Sequence, residues 1–431
     1  MPEKNPVMLL ELLFDEQQFT ETGKYADSSI IAGFGEIGAS LVYAYEQNIS
    51  VKSGAVSKNA AVKMKKVYEN AVKFGAPVVA VFNSKGGEIG EGIELIDAYS
   101  DMIENAAKLS GVVPLISIVT GQCSGLNATL CCMSDIVIMT EKAEMFFTPP
   151  FIAEDKAENA GKAQFCANAG VAHITVKDEK EAAEKARQLL SLLPLNNLDS
   201  PNSFGFEQND TVISASLKST DFIKAIADKE SIIELNVNFG SASVTALGVL
   251  GSETIGFVAI DKKDEKLTAA DASKIARFVN FCDAFSIPVV SIIDNEGFEP
   301  SMKAEQAGFI RDTAKLAQVY ASATTPKISL ITGKATGAAF ILAGGFKSDM
   351  VLVYEDSVTS PISIKAAAGF LELSEDDYIK EHASAEIALQ KGYADAVISP
   401  AEVREILIKV IENSYNKRVS APSRKHINLV F

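Results

Sequence analysis

The chain has 431 residues, of which 47% are apolar and 22% charged, and its formal net charge is −16. This length suits two domains of about 200 residues each. The acidic balance argues against nucleic acid as a partner, because binding phosphates requires a basic face. No apolar run reaches the roughly 18 residues that span a bilayer, and the N-terminus lacks the cleavage site of a signal peptide, so we expect a cytoplasmic location.

The first half of the chain alternates between predicted strands and predicted helices. Apolar runs rich in β-branched and aromatic residues predict strands, and apolar residues at helical spacing predict helices. In chain order these are a strand at 39–47, a helix at 57–74, a strand at 77–84, a helix at 93–110 and strands at 114–120, 135–140 and 143–150. Strands of continuous apolar character between helices predict an α/β fold whose sheet is buried on both faces.

The second half repeats the first. Landmarks recur in the same order between 211 and 214 residues later, pairing Asp15 with Asp228, Pro77 with Pro288, Pro114 with Pro326 and Ser134 with Ser348. Chance does not explain such a series, so the chain is predicted to be a tandem duplication. The stretch 193–220 is rich in Pro, Asn, Ser and Asp and is interpreted as the linker, which places the domains at 1–205 and 206–431.

Two matched glycine-rich stretches mark the two halves. In each, a proline precedes an apolar run that predicts a buried strand, and small residues then predict a tight turn before a helix. The stretches are Pro114–Thr129 and Pro326–Phe340, with the small residues Gly121, Ser124, Gly125, Gly333, Thr336 and Gly337. Backbone N–H groups at such a turn can hold a developing oxyanion. Two such turns predict two oxyanion holes and chemistry that passes through two enolates.

Acid–base side chains are scarce by comparison. His173 lies in an apolar strand-like stretch, His382 among helix residues and His426 in the tail, and the first two are interpreted as structural. There is no Ser/His/Asp order with a GxSxG elbow, and no metal-binding spacing. The cysteines show no CxxC pairing and are interpreted as reduced core residues: Cys123, Cys131, Cys132, Cys166 and Cys282.

A further glycine-rich loop, SKGGEIGEG, occupies Ser84–Gly92. It lacks the GxxxxGK(S/T) pattern of phosphate loops, so a nucleoside triphosphate site is disfavoured. No GxGxxG follows the first strand of a βαβ unit, which disfavours a dinucleotide site as well. The glycine turns therefore carry the functional prediction.

These residues together resemble the carboxyltransferase subunits of biotin-dependent acyl-CoA carboxylases and decarboxylases of the propionyl-, acetyl- and methylmalonyl-CoA type. In the first half the resemblance rests on LLFDEQQFTE, the Ser84–Gly92 loop, SGVVPLISIVTGQCSG and SDIVIM. In the second half it rests on KIARFVNFCDAFSIPVVSIIDNEGF, TTPKISLITGKATGAAF and RKHINL. The similarity covers nearly the whole chain and implies a duplicated crotonase-like (ClpP/crotonase) domain, a ββα superhelix.

The resemblance implies a reaction that needs no protein base and no metal. A carboxyl group moves between biotin, attached to a separate biotin carboxyl carrier protein, and a short-chain coenzyme A thioester. One hole holds the thioester oxygen and the other holds the ureido oxygen of biotin. The other implied partners are a biotin carboxylase or a membrane decarboxylase subunit. The family also implies a homo-oligomer, a hexamer, with the active site between the N-domain of one subunit and the C-domain of another.

The same resemblance assigns residues by motif position. Gly125 and Leu126 would supply the amides for the acyl-CoA thioester, and Ala338 and Ala339 those for biotin. Ile341 occupies a position that influences the choice of acyl group. The other implied substrate-binding residues are Ser84, Gly86, Gly87, Gly121, Gly297, Phe298, Gly333, Gly337 and Phe340. Leu126 and Ala338 stand where the family has glycine, but every non-proline residue keeps its N–H donor.

Three alternatives stay open at this point. The chain can be the alpha subunit of a methylmalonyl-CoA-type decarboxylase of a sodium pump, which runs the transfer in reverse. It can be a catalytically inactive scaffold subunit of such a complex, an interpretation that the replaced glycines favour slightly. A hydratase- or isomerase-like crotonase enzyme would need paired glutamates near the holes, and none is placed convincingly. Binding of acyl-CoA separates an enzyme from a scaffold.

Overall fold

The structure is a computed structural model that describes residues 8–16, 18–24, 29–155, 159–205, 209–262, 265–414, 416–419 and 428. The chain divides into two compact units, Met1–Ser200 (unit 1) and Pro201–Phe431 (unit 2). The predicted domain boundary at 205/206 adjoins residues 206–208, which lie outside the described residues. No helix or strand of the described chain lies between Leu192 and Ser219, in the stretch interpreted as the linker.

Unit 1 begins with a short helix and continues as an alternation of strands and helices. Its elements are α1 Leu9–Leu13, β1 Thr20–Glu21, β2 Ile30–Ile37, β3 Ser40–Gln47, α2 Lys58–Phe74, β4 Val78–Ser84, α3 Ile93–Leu109, β5 Leu115–Ser124, α4 Leu126–Cys132, β6 Ile136–Thr140, β7 Glu144–Phe146, α5 Ala163–Asn168, β8 Ile174–Val176 and α6 Glu179–Leu192.

Unit 2 follows the same order of elements and adds one short helix before its glycine turn and further helical segments after it. Its elements are α7 Ser219–Ile226, β9 Ile233–Leu235, β10 Val244–Leu250, β11 Glu253–Ile260, α8 Ala269–Ala284, β12 Val289–Asn295, α9 Met302–Gln306, α10 Phe309–Ser322, β13 Lys327–Thr336, α11 Gly337–Leu342, β14 Met350–Val353, β15 Val358–Ser360, α12 Ile364–Leu371, α13 Glu375–Tyr378, a π-helical segment Ile379–Ala383, α14 Ala385–Gln390, β16 Ala396–Val397 and α15 Val403–Ser414.

Each unit contains one sheet, and the two sheets have the same topology. The order is β1-β2-β3-β4-β5-β6-β8 in unit 1, with β7 also paired to β5. In unit 2 it is β9-β10-β11-β12-β13-β14-β16, with β15 also paired to β13. The first three strands of each sheet are antiparallel and all later pairings are parallel. The predicted tandem duplication is therefore confirmed.

Burial explains why the apolar runs form strands. All seven residues of β10 are buried, as are six of the seven in β4. β4 is parallel to both of its neighbours, and helices in the crossover connections of a parallel sheet cover both of its faces. Helix α2 begins where the Ser57 hydroxyl accepts from the Ala60 N–H and ends at Gly75, which adopts a left-handed φ of 63°. In the described part of the chain, no helix has the length and apolar character to cross a membrane.

Two predicted strands have different ends in the structure. β5 continues to Ser124 instead of ending at 120, because its last residues gain β7 as a parallel neighbour. The strand predicted at 143–150 ends at Phe146 for the same reason, since only Glu144 to Phe146 pair with β5. The tail motif RKHINL, apart from Asn428, and His426 lie outside the described residues.

Candidate active site

The first glycine turn lies where β5 meets α4. β5 ends at Ser124, Gly125 adopts φ 60° and ψ −127°, and α4 begins at Leu126. The positive φ alone favours glycine here, and space is not limiting. Among the described residues, no atom outside the chain neighbours lies within 4 Å of the position that a Cβ would occupy. The Gly125 N–H donates to Phe146 O of β7 at 3.0 Å. Leu126 is 39% exposed, so the start of α4 lies near the surface of unit 1.

The second glycine turn lies where β13 meets α11. β13 ends at Thr336, and Gly337, with φ 53°, is the first residue of α11. Crowding adds to the backbone requirement at this turn, because a Cβ on Gly337 would lie 2.9 Å from Pro361 O. Ala338 is exposed and Ala339 is buried. The first N–H groups of a helix have no intrahelical acceptor, which is the property that the predicted oxyanion holes require.

Gly121 and Gly333 lie inside β5 and β13 and not in the turns that the sequence predicts. Each makes room for a side chain from the neighbouring strand. A Cβ on Gly121 would lie 2.2 Å from Asn83 Oδ1, and a Cβ on Gly333 would lie 2.3 Å from Asp294 Oδ1. These two glycines therefore set the spacing between strands just before each turn.

The side chains that cover these two strand glycines differ in charge. Asp294 accepts from the Lys334 N–H at 2.7 Å and from Lys218 Nζ at 2.9 Å. The Asn83 side chain is neutral, and the backbone N–H of Asn83 donates to Gln47 Oε1 at 3.0 Å. The ends of the two sheets are thus built on the same plan with different electrostatics.

The loop after β4 lies beside the first turn. Ser84 is buried, and its Oγ donates to Gly86 O at 3.0 Å and accepts from the Gly86 N–H at 3.1 Å. A Cβ on Gly86 would lie 3.7 Å from Ser124 Oγ, which places the loop next to the end of β5. A Cβ on Gly87 would lie 3.1 Å from the Tyr99 ring. The structure therefore brings Ser84, Gly86 and Gly87 to the first turn.

The matching loop in unit 2 follows β12. Asn295 is in register with Ala335 of β13, so this loop begins beside the second turn. Gly297 has φ 120°, and its N–H donates to Asn295 Oδ1 at 2.8 Å. The Phe298 ring packs edge-on against Phe309, with centroids 5.3 Å apart. Gly297 and Phe298 thus occupy in unit 2 the place that the Ser84–Gly92 loop occupies in unit 1.

A cavity of about 460 Å³ lies beside the second turn within unit 2. Most of its lining is apolar or aromatic, a composition typical of small-molecule sites. The lining includes Gly337, Phe340, Ile341, Phe346, Pro361 and Tyr393. Phe340 is buried against Phe346, whereas Ile341 is 65% exposed. The polar part of the lining consists of three hydroxyl residues and three basic or titratable side chains, namely Thr359, Ser360, Ser384, Lys347, Lys391 and His382.

The histidines have different surroundings. His173 is buried and its Nδ1 accepts from the Val137 N–H at 3.0 Å, which confirms its structural interpretation. His382 lies on the π-helical segment and borders the cavity, so its environment is partly open. Among the described residues, no group of three or more His, Cys, Asp and Glu side chains is placed to hold a metal ion.

Four cysteines are buried as predicted: Cys123, Cys131, Cys166 and Cys282. Cys132 is the exception, because it is exposed at the last position of α4. Its assignment to the core was wrong. The apolar character of the LNATLCC helix hid the fact that its final turn reaches the surface.

A buried polar pair beneath the first turn was not predicted. Asn127, the second residue of α4, is fully buried and its Oδ1 accepts from the Tyr99 hydroxyl at 3.3 Å. Burial raises the pKa of the Tyr99 phenol well above its usual range, so this group stays neutral. The sequence repeat does contain a signal for this pair. Asn127 corresponds to Ala339 in the second half, so the first turn carries a polar side chain at a position where the second turn carries an apolar one.

Comparison with known proteins agrees with these features. The sequence matches the carboxyl transferase domain over residues 10–429. It is 28% identical to the methylmalonyl-CoA decarboxylase subunit alpha of Veillonella parvula, with 97% of this chain and 92% of that protein aligned. It is 30% identical to the mitochondrial propionyl-CoA carboxylase beta chain of Rattus norvegicus, over 95% of this chain and 81% of that one.

The fold is also similar to a solved structure of transcarboxylase 12S, described as a hexamer assembly with hydrolysed methylmalonyl-coenzyme A bound. The TM-score is 0.93 at 28% identity, and the match covers 98% of this chain and 92% of that one. The duplicated crotonase-like α/β fold and the resemblance inferred from the motifs are thereby confirmed. Since the matched domain spans nearly the entire sequence, the chain belongs to the carboxyl transferase domain family.

Proposed function

We propose that this chain is a carboxyltransferase subunit that moves a carboxyl group between biotin, held by a separate protein, and a short-chain acyl-CoA. The observation that carries the proposal is the pair of matched turns at Gly125 and Gly337, each between the strand and the helix that correspond in the duplicated units. The relatives support propionyl-CoA and methylmalonyl-CoA as the pair of thioesters, because their names specify these compounds.

Unit 1 takes the acyl-CoA in this proposal. N–H groups of the Gly125–Leu126 turn face the thioester oxygen, on which negative charge develops while the α-carbon gains or loses its carboxyl group. Because the Gly125 N–H already donates to Phe146 O, the oxygen needs a donor in addition to Leu126, or that bond must open. The neighbouring positions that line the thioester are Ser84, Gly86, Gly87 and Gly121.

Unit 2 takes biotin in this proposal. The Ala338 and Ala339 N–H groups face the ureido oxygen and stabilise negative charge on it. The cavity beside Gly337 suits an uncharged bicyclic ring, since its volume is about 460 Å³ and its lining is mostly apolar. Biotin supplies the carboxyl group, bound to a ureido nitrogen, and the chain only binds the ring and stabilises charge. The neighbouring positions are Gly297, Phe298, Gly333, Phe340 and Ile341.

The proposal includes partners and an assembly. Biotin arrives on a biotin carboxyl carrier protein, in a cytoplasmic complex with a biotin carboxylase or with a membrane decarboxylase subunit. The Veillonella relative supports the second arrangement and the rat relative the first. The hexamer described for transcarboxylase 12S supports a homo-oligomer. So do Ile89, Ile93 and Ile96, which are 87%, 81% and 68% exposed, since large exposed apolar groups mark interfaces.

The test is carboxyl transfer by the purified protein. Methylmalonyl-CoA or malonyl-CoA is mixed with free biotin, and the release of propionyl-CoA or acetyl-CoA is followed by chromatography. Release that requires both the protein and biotin is expected. Lys180→Met, an exposed change on α6, is the control and should leave the rate unchanged. Binding of propionyl-CoA without any transfer would contradict the enzymatic proposal, and absence of both binding and transfer would indicate an inactive scaffold.

A further inference from the structure

The cavity beside the second turn has a lining whose charges are of one sign. Three basic side chains line it, Lys347, Lys391 and His382, and among the described residues no Asp or Glu does. The chain as a whole has a formal net charge of −16, so this lining departs from the average surface. A cleft with apolar walls and charges of one sign focuses the electric field and attracts ions of the opposite sign. The lining therefore favours an anionic ligand.

The two lysines of the cavity lack an acidic partner. Elsewhere in unit 2 a lysine such as Lys218 pairs with an acid, Asp294, at 2.9 Å. Within the part of the chain that the structure describes, the ammonium groups of Lys347 and Lys391 form neither an ion pair nor a hydrogen bond. Both side chains are exposed, so their charges are available to a ligand in the cavity.

A stacked aromatic pair connects the two lysines. The rings of Phe346 and Tyr393 stack with centroids 5.3 Å apart and planes 25° apart. Lys347 directly follows Phe346, and Lys391 lies two residues before Tyr393. All four residues line the cavity. The two cations are thus attached to neighbouring points of one apolar wall.

The other polar groups of the lining already have neighbours. The Ser360 hydroxyl is bonded to the Tyr378 hydroxyl at 3.0 Å, and Ser384 Oγ accepts from a backbone N–H of α14 at 3.3 Å. His382 Nε2 lies 3.8 Å from the carboxylate of Glu381. The two lysines are therefore the groups best placed to bind an anion.

We propose that Lys347 and Lys391 bind the carboxylate of carboxylated biotin, so that the cavity holds this form more tightly than biotin itself. This inference rests on the proposed function. The bicyclic ring is uncharged in both forms, and the carboxyl group on the ureido nitrogen adds one negative charge. Ammonium groups form charge-assisted hydrogen bonds with a carboxylate, which are about twice as strong as neutral ones. The apolar wall binds the ring, and the lysines recognise the group that is transferred.

Three compounds separate the effect of charge from the effect of size. Biotinamide has no carboxyl group, N-carboxybiotinamide carries the anion, and N-methoxycarbonylbiotinamide has nearly the same size without the charge. Calorimetric titration of the full chain gives the Kd of each, with N-carboxybiotinamide freshly prepared and kept cold at mildly alkaline pH. We expect wild type to bind the anion at least about tenfold more tightly than its methyl ester.

Substitution of each lysine tests its role. Lys347→Met and Lys391→Met remove the charge and keep an apolar stem. Each should raise the Kd for N-carboxybiotinamide about five- to tenfold and leave the other two Kd values within about twofold of wild type. Lys391→Arg keeps the charge and should stay within about threefold for the anion.

Lys380→Met is the matched control, because Lys380 is exposed on the π-helical segment but does not line the cavity. It should leave all three Kd values within about twofold of wild type. Equal affinity of wild type for the anion and its ester would overturn the inference. So would lysine variants that weaken all three compounds alike, or a loss in Lys380→Met as large as in Lys391→Met.

Methylmalonyl-CoA contains the other carboxylate of the reaction, and the transfer assay distinguishes it. A higher KM for methylmalonyl-CoA in Lys391→Met, together with an unchanged Kd for N-carboxybiotinamide, would overturn the assignment to biotin. The titrations contain no coenzyme A, so they report on the biotin compounds alone.

The proposed function can fail separately. If wild type prefers N-carboxybiotinamide to its ester but transfers no carboxyl group to propionyl-CoA, the enzymatic proposal fails and the inference holds. If wild type transfers and both lysine variants keep its KM for N-carboxybiotinamide, the inference fails alone. If wild type binds none of the three compounds, the inference is overturned, and transfer from methylmalonyl-CoA to biotin still decides the enzymatic proposal.

Discussion

Units 1 and 2 preserve the contacts that hold their sheets and differ in those at the glycine turns. In both units an arginine of a late helix pairs with an acid that follows the first helix, Arg187 with Asp15 and Arg404 with Asp228. In both, a serine of the fifth strand bonds to a serine just before the sixth strand, at 2.5 Å between the hydroxyls of Ser117 and Ser134 and at 2.7 Å between those of Ser329 and Ser348. These shared contacts belong to the ancestral domain.

The differences are concentrated where chemistry is proposed. Asn83 beside Gly121 becomes Asp294 beside Gly333, and this acid forms an ion pair with Lys218. Asn127 becomes Ala339 at the start of the following helix. Duplication thus kept the scaffold and allowed each turn to acquire its own polarity, as expected when one turn receives a thioester and the other a ureido group.

Breaking the conserved arginine–acid pair should give the largest effect, and unit 2 should suffer more. The side chains of Arg404 and Asp228 are 13% and 4% exposed, against 35% and 34% for Arg187 and Asp15. Arg404→Met leaves a buried carboxylate without its cation and should lower the free energy of unfolding by about 3–5 kcal/mol. Arg187→Met should cost about 1 kcal/mol or less. Urea unfolding followed by circular dichroism measures both, and equal losses would contradict this ranking.

Glu46 should make stability depend on pH. Burial raises the pKa of this carboxyl to about 7, although it accepts from the Leu9 and Leu10 N–H groups. Since this pKa lies above the ordinary value of 4.5, the folded form binds the proton more tightly. The stabilisation that protonated Glu46 gives the folded state is therefore fully present below about pH 4.5. It is lost as the pH rises to about 7, and the loss in unfolding free energy is up to about 3 kcal/mol.

Glu46→Gln is the variant that isolates this effect. The carboxamide keeps an acceptor for the helix but cannot ionise, so the fall in unfolding free energy between about pH 4.5 and 7 should become shallower. Denaturant midpoints at several pH values measure it. In unit 2 a buried acid at a different position, Asp261, has its pKa raised by burial too and accepts from the Ser219 N–H, so a residual slope is expected. An unchanged slope in Glu46→Gln would exclude this carboxyl as the source.

Asp294→Asn should have the smallest effect, because it gives unit 2 the residue that unit 1 has at Asn83. The pair with Lys218 is 27% exposed on each side, and such pairs contribute about 0–1 kcal/mol. Asparagine can still accept from the Lys334 N–H. We expect a loss of less than about 1 kcal/mol in unfolding free energy, and Lys218→Met should match it. A loss above about 2 kcal/mol would mean that the charge does more than position the strand end.

The fold was largely predictable because its signals are local. Continuous apolar runs predicted strands that overlap β3, β4, β5 and β6, and the repeat predicted a second copy of the same topology. The strand ends were less accurate, since the last residues of β5 pair with β7, a strand that lies at a distance in sequence. Cys132 was misplaced because exposure of a helix end depends on tertiary packing.

The site was predictable as two turns but not as a set of contacts. Gly125 and Gly337 were identified from sequence, since a turn from strand to helix with positive φ selects glycine. The bond from the Gly125 N–H to Phe146 O and the burial of Asn127 against Tyr99 depend on segments that meet only in the folded unit. The cavity beside Gly337 is likewise lined by α11 and by the π-helical segment, which follows some 40 residues later in the chain. Local sequence patterns do not predict that these two segments meet.

The central claim is that the first turn binds the acyl-CoA and the second turn binds biotin, and Gly337→Ala tests this claim most directly. Its Cβ would meet Pro361 O at 2.9 Å and distort the second turn. Calorimetric titration gives the Kd for propionyl-CoA, and the assay of transfer from methylmalonyl-CoA to biotin gives the transfer rate. We predict that transfer falls about 100-fold while the Kd for propionyl-CoA stays within about twofold of wild type. A Kd that rises by the same factor as the transfer rate falls would contradict this separation of the two binding roles.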